Sequence, residues 1–370
     1  MLDSLFSPVK VDSLDLPNRV VMSAMTRSRA PRDGLATDLT ADYFTQRSAA
    51  GLLITGSISV SREGTGFLWT EGMYTDAQVA AWRRVTDAVH RGGGRIAAQL
   101  NHCGRLSHSS LHDGARPPGV SEVPASAEVF AYISEGIPGP TAASVPRAMS
   151  TAEVRATIAD FGAAADAARR AGFDAVEIQA ANGLLTEQFF SPHVNTRDDA
   201  YGGSPRNRAR FLLEAIDAIA DAAPGMPLGV KLSPGGQVND IPPYSDWAEL
   251  QLLVITELNE RPIAWVTLAN QAATQERGGY DDAFAARARD ARDGALILGG
   301  GYTGDSADAA IARGRADLIA FGRPYLANPD LVARLRAGYP LAEPDMRTLY
   351  GGGAAGYTDY PPMPASEPRA

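Results

Sequence analysis

Two carboxamides three residues apart, Gln179 and Asn182, stand at the end of an apolar run and can converge on one oxygen. Such a pair offers neutral N–H donors that polarise a carbonyl or nitro group without readily supplying a proton. Capping of a following helix by Asn182 is the other reading of the same spacing. Lys231 lies inside a second apolar run, and Gln99 closes to the end of a third. A lone ammonium in an apolar interior demands an anion or a shifted pKa. Beside an amide, it suits the polar edge of a flat heterocycle that gains negative charge on reduction. Lys231 as the Schiff-base nucleophile of an aldolase is the competing chemistry. Gly299-Gly300-Gly301-Tyr302-Thr303 and Phe321-Gly322-Arg323-Pro324 each join an apolar run to the stretch after it. Glycines that let backbone N–H groups approach an anion, with a helix N-terminus and an arginine, form a phosphate cradle; the paired Gly-Arg favours it over plain tight turns. His102, Cys103, His108 and His112 can be read as a zinc set, but they lack the usual Cys-x₂-Cys or helical His-x₃-His framing. No metal is therefore expected, and Cys103 reads as a packed thiol.

Side chains so far apart in the chain need a scaffold that gathers strand ends. Short apolar runs occur at 19–25, 51–55, 95–100, 175–178, 228–232, 264–268, 295–298 and 317–321. Helix-like stretches lie between them at 76–90, 151–171, 205–222, 245–260 and 306–313, and Ser150-Thr151-Ala152-Glu153 carries a capping-box pattern. Strands apolar on both faces and separated by helices imply parallel pairing under a helical cover. Eight such units predict a (β/α)₈ TIM barrel spanning 1–370 as a single domain. A two-domain Rossmann arrangement loses ground because no G-x-G-x-x-G follows an early strand. The 103–150 stretch, rich in Pro, Ser and Ala, is too long for a plain connection and is expected to form a lid or pocket wall. The 341–370 tail is expected to be irregular and to fold over the barrel rim. Chemistry in such barrels sits at the C-terminal strand ends, where the residues above fall.

Composition narrows the classes. The chain has 370 residues, 45% hydrophobic and 21% charged, with 34 basic against 43 acidic residues and a net charge of −9. That balance argues against a nucleic-acid surface. Only Lys10 and Lys231 among the cations are lysines, so a lysine within an apolar run stands out. With one cysteine, no leader-like N-terminus and no long unbroken apolar run, the expectation is a cytoplasmic protein without a membrane span, monomeric or homodimeric.

Taken together, these stations resemble the old yellow enzyme family of FMN-dependent ene-reductases. The resemblance runs nearly end to end, through Asn18-Arg19-Val20-Val21-Met22, Met25-Thr26-Arg27-Ser28-Arg29-Ala30, Asn195-Thr196-Arg197, Tyr201-Gly202-Gly203-Ser204, Ala320-Phe321-Gly322-Arg323-Pro324 and Gly356-Tyr357-Thr358-Asp359-Tyr360-Pro361. It implies bound FMN, NADPH or NADH as reductant, and an activated alkene (enone, enal or nitroalkene) as substrate. Ser23, Ala24, Met25 and Thr26 would line the isoalloxazine; Ser57, Gln99 and Lys231 would meet its polar edge. Gly300, Gly301, Gly322 and Arg323 would hold the phosphate, and Tyr350 would cover the dimethylbenzene side. Gln179, Asn182 and Thr26 would carry the catalytic contacts, with Phe67, Asn101 and Leu184 in the substrate pocket.

Departures from the family pattern carry weight. Gln179 stands where the family typically has a histidine, Leu184 where it has the tyrosine that protonates the substrate, and Lys231 where it has an arginine. A leucine donates no proton. Reduction with protonation by another source is the leading reading. A non-reductive flavin-dependent isomerase or cyclase, or a flavin-binding protein without turnover, is the alternative.

Overall fold

The computed structural model describes residues 2–272 and 278–364. Eight parallel strands close into a barrel: β1 (Val20–Met22), β2 (Leu52–Ser59), β3 (Ile96–Asn101), β4 (Ala175–Ala180), β5 (Leu228–Leu232), β6 (Ile263–Ala269), β7 (Ala295–Gly299) and β8 (Leu318–Phe321). The chain order is the spatial order, and β8 returns to pair with β1 through Ile319 opposite Val20. Helices between the strands include α1 (Asp38–Thr45), α2 (Asp76–Arg91), α3 (Thr151–Arg170), α4 (Leu185–Phe190) and α5 (Pro205–Ala222). Beyond them come α6 (Trp247–Glu257), α7 (Asp282–Ala291), α8 (Gly304–Ala312), α9 (Arg323–Ala327) and α10 (Leu331–Ala337). Ser150 and Glu153 form the capping box of α3, as the sequence pattern predicts.

The barrel interior is layered. Val21, Leu52, Ile54, Ala97, Ala175, Trp265, Ile297 and Leu318 form one apolar cluster with Val11, Leu14 and Leu16 of the N-terminal hairpin (Val9–Val11 with Leu14–Leu16). That hairpin shares the cluster at the N-terminal ends of the strands, so the bottom of the barrel is dry. Trp265 lies so close to β5 that a Cβ on Gly229 would sit 2.1 Å from its ring, which makes glycine obligatory there. Moving up each strand by two residues brings polar groups to the same inner face: Gln99 after Ala97, Glu177 after Ala175, Thr267 after Trp265.

Several expected boundaries are corrected. The 19–25 run leaves the sheet after Met22, which frees 23–26 to turn across the strand ends. β2 continues past 55 to Ser59 through a register shift between Ile54 and Ser57, a bulge that polar residues had hidden. The 245–260 helix is α6 followed by a 3₁₀ turn at Leu258–Glu260, and the 306–313 helix starts at Gly304. Within 103–150 stands an antiparallel hairpin, Glu128–Ser134 with Ile137–Ala142, tied to the β2–α2 connection by Leu68 N–H donating to Phe130 O at 2.9 Å. The tail from 341 has no regular element beyond a 3₁₀ turn at Met346–Thr348 among its described residues. It is strapped down by two buried arginines: Arg27 donates to Leu349 O and Gly356 O, Arg29 to Thr348 O and Gly353 O.

Candidate active site

The C-terminal strand ends carry a continuous hydrogen-bonded ladder across four strands. Gly56 lies at the bulge, its Cα so near the segment after β1 that a Cβ would meet Met25 O at 2.9 Å. This approach lets Ser57 N donate to Thr26 Oγ1 at 3.2 Å. Ser57 Oγ donates to Gln99 Oε1 at 3.3 Å, and Gln99 Nε2 donates to Glu177 Oε1 at 2.8 Å. Glu177 Oε2 accepts from Trp265 Nε1 at 3.0 Å and Thr267 Oγ1 at 2.8 Å. Lys231 sits beside Thr267 and Gln179 in register, buried. Burial pulls its ammonium below the ordinary lysine pKa, and the field of Glu177 opposes that. Glu177 is the acidic group whose field reaches this buried cation. Sequence reasoning missed Glu177, although a carboxylate between Val176 and Ile178 carries the signal that singled out Lys231.

Above this ladder stand the carboxamides. Gln179 is buried, and its Oε1 has no hydrogen-bond partner among the described residues. Asn182 lies in the left-handed region at φ 60°, followed by Gly183 at 73°. It caps no helix: the N-cap of α4 is Leu184, with no side-chain bond. Leu184 is buried with Cys103, Leu106, Val129 and Ala131, and Phe67 packs against that cluster, so both face the lid hairpin. Asn101 is buried and donates to Cys103 Sγ at 3.3 Å; burial pushes the Cys103 thiol up to about 12, so it stays protonated. His102 Nδ1 accepts from Gly104 N–H, His112 Nε2 meets Ser107 Oγ and His108 Nδ1 accepts from Ser110 N–H, three separate engagements. No group of three or more metal-binding side chains occurs among the described residues.

Of the glycine segments, the one at Gly322 lies beside the turn that follows β1. A Cβ on Gly322 would lie 3.8 Å from Met25 Sδ and 3.9 Å from Ser23 Cβ, so these three residues are neighbours at the strand ends. Gly300 holds φ 128° with Asn270 O close behind it, and Gly301 holds φ 70°. Arg323 begins α9 and is exposed. Tyr350 is 63% exposed on the strapped tail. The donor set fits a flat heterocycle carrying a phosphate: backbone N–H groups at glycines with an arginine beside them, and polar groups along one edge.

Comparisons with known proteins agree. The sequence model of the NADH:flavin oxidoreductase / NADH oxidase family matches residues 4–342. The chain is 36% identical over 367 residues to the probable flavin mononucleotide-dependent alkene reductase of Leishmania infantum, covering 98% of each. Among solved structures, morphinone reductase superposes with a TM-score of 0.93 at 41% identity, over 97% of this chain and 96% of that one. The old yellow enzyme homologue from Zymomonas mobilis gives 0.91 at 34% identity, over 96% and 99%. With the family model matched across nearly the whole barrel, the chain belongs to the NADH:flavin oxidoreductase / NADH oxidase family.

Proposed function

We propose that this protein is an FMN-dependent reductase of activated alkenes, driven by NADH or NADPH. The observation that carries the reading is an edge-binding polar ladder, Thr26 to Thr267 with Lys231 beside it in register, beneath two carboxamides, Gln179 and Asn182, whose Nε2 and Nδ2 make no hydrogen bond among the described residues. FMN, when bound, supplies the hydride relay between the nicotinamide and the β-carbon of the alkene.

The chain's own residues do the rest. Ser23, Ala24, Met25 and Thr26 would line the flavin ring, Ser57, Gln99 and Lys231 would meet its polar edge, and a Lys231 charge would favour electron density there. Gly300, Gly301, Gly322 and Arg323 would hold the phosphate, and exposed Tyr350 would cover the dimethylbenzene side. Gln179 and Asn182 donate N–H to a carbonyl or nitro oxygen and polarise the double bond. A carboxamide does not surrender its proton at neutral pH, and Leu184 has none, so water protonates the α-carbon. Loss of a positioned acid typically lowers rates by about 10²–10⁴-fold. Strongly activated alkenes such as maleimide or a nitroalkene are therefore favoured over simple enones, with Phe67 and Leu184 presenting an apolar wall to them.

The test is anaerobic. Holoenzyme reduced with NADPH is mixed with cyclohexenone, maleimide or a nitroalkene, and flavin reoxidation is followed with product analysis. Reoxidation with saturated product is expected; reduction by nicotinamide followed by no reoxidation with any alkene overturns the reading in favour of an isomerase or cyclase.

A further inference from the structure

We infer that Gln271, on the connection after β6, is a positioning residue that fixes Asn182 as an obligate hydrogen-bond donor. The site therefore selects ligands that present an acceptor oxygen. This deepens the alkene-reductase reading and rests on it.

The backbone of Asn182 is immobilised first. Its φ of 60° is uncommon for a non-glycine residue and persists only where surroundings enforce it. Here they do. Asn182 N donates to Ser233 Oγ at 3.0 Å, and Ser233 Oγ donates onward to Glu187 Oε1 at 2.8 Å. Glu187 Oε2 accepts from Gly183 N at 2.6 Å, and Asn182 O accepts from Asn239 Nδ2 at 2.8 Å. Three side chains, Ser233, Glu187 and Asn239, thus hold one two-residue turn. What stays soft is the rotation of the carboxamide, a broad torsion with two nearly equivalent orientations.

Gln271 settles it. Its Nε2 donates to Asn182 Oδ1 at 2.7 Å. That bond occupies the oxygen and turns Nδ2 away from Gln271; Nδ2 makes no hydrogen bond among the described residues, and Asn182 is only half-buried. Donation into Oδ1 also polarises the amide and strengthens its remaining N–H groups as donors. Gln271 reaches this place because residue 236 is glycine: a Cβ there would lie 2.3 Å from Gln271 Oε1. Gln179 differs, since neither end of its carboxamide bonds a described residue and its orientation is left to the ligand, whereas Gln271, whose own Oε1 is also buried with no hydrogen-bond partner among the described residues, is held through Nε2 on Asn182. One carboxamide is preset and the other adapts. A ketone, nitro or carboxamide oxygen meets a matched donor at Asn182, whereas a ligand presenting N–H there meets donor against donor.

The test uses oxidised holoenzyme titrated without reductant, by calorimetry and flavin fluorescence, with 2-cyclohexenone and, in parallel, 3-acetylpyridine mononucleotide, whose acetyl oxygen can only accept. In Gln271→Glu, at roughly pH 8.5 where a carboxyl is ionised, the new side chain can only accept. Asn182 then turns its Nδ2 inward and its Oδ1 toward the ligand. Affinity for the acceptor probes is expected to fall about tenfold to a hundredfold, the penalty of an unmatched polar contact. Gln271→Leu is expected to fall less, because the released amide can still rotate to donate. In an Asn182→Ala background, Gln271→Glu is expected to change nothing further. Unchanged affinity in Gln271→Glu, or an equal loss with and without Asn182, overturns the inference. Loss with 3-acetylpyridine mononucleotide, together with no cyclohexenone binding by wild type, upholds the donor assignment and overturns the alkene reading.

Discussion

Removing the Glu177 carboxylate while keeping its bulk tests the ladder at its centre. In Glu177→Leu the Gln99 Nε2, Trp265 Nε1 and Thr267 Oγ1 donors, all within 3.0 Å of the carboxylate, lose their acceptor in a fully buried position. Each orphaned donor costs about 1–3 kcal/mol, so the three together cost about 6 kcal/mol. Lys231 loses its anion as well, which adds to the loss. With 370 residues the unfolding entropy is roughly 0.8 kcal/mol per kelvin. The melting temperature should therefore fall by about 8 °C. Glu177→Gln is the discriminating partner. Its Oε1 still accepts from Trp265 and Thr267, and Gln99 can invert its amide, accepting from the new Nε2 while donating to Ser57 Oγ. Only the charge is lost, about 2 kcal/mol, which lowers melting by about 2–3 °C. Calorimetric melting of the three proteins at one fixed excess of FMN reads the difference. Equal melting temperatures for the two variants, or a loss in Glu177→Leu no larger than that expected for Glu177→Gln, would refute the claim that the three donors depend on this carboxylate.

Two further outcomes follow from the same geometry. Leu184→Tyr should raise turnover of simple enones, by up to about 10²-fold if the new hydroxyl reaches the α-carbon. It should also cost about 1–3 kcal/mol, because Leu184 is already packed against Cys103, Leu106 and Val129; steady-state kinetics with cyclohexenone that show no gain would mean the position is not that of a proton donor. Burial raises the Glu187 carboxyl from 4.5 to about 7, and its bonds to Gly183 and Ser233 only partly offset this. The folded state therefore keeps a proton that the unfolded chain has released, so the stabilisation is complete below about pH 4.5 and is lost as pH rises through about 7, by about 3 kcal/mol. Glu187→Gln imitates the protonated form: its melting temperature should match wild type near pH 5 and exceed it by about 4 °C near pH 8.5, and a variant no more stable than wild type at the higher pH would contradict the assignment.

The barrel was legible because its signals are local. β5 has the bounds that its apolar run predicts, and the other strands agree within a few residues, since a strand buried on both faces must be apolar at every step. α1 was not legible: its eight residues, Asp38–Thr45, are short and mix polar and aromatic types. Nor was the lid hairpin, whose second strand holds Pro138 and Pro140. Proline is tolerated at edge positions that need no ladder donor, yet in sequence it reads as irregular. Among site residues, Gln99, Lys231, Gln179 and Asn182 stood out as polar types at the ends of apolar runs. Ser57 took its place only through the bulge in β2, and Tyr350 through arginine contacts more than 300 residues away in the chain.

Residue types and their periodicity were enough to specify the strands, the closed barrel, the glycines at its rim and the carboxamides above it, because each depends on neighbours within a few positions. Which acid lies in the field of Lys231 and which loop residue bonds the Asn182 carboxamide came only from barrel closure. Gln271 and Asn182 are separated by 89 positions, as are Glu177 and Trp265 by 88. Hydrogen bonds of that span leave no trace in local spacing; they exist because strands far apart in the chain end on one rim, where buried polar groups must find partners in whatever the fold brings within reach.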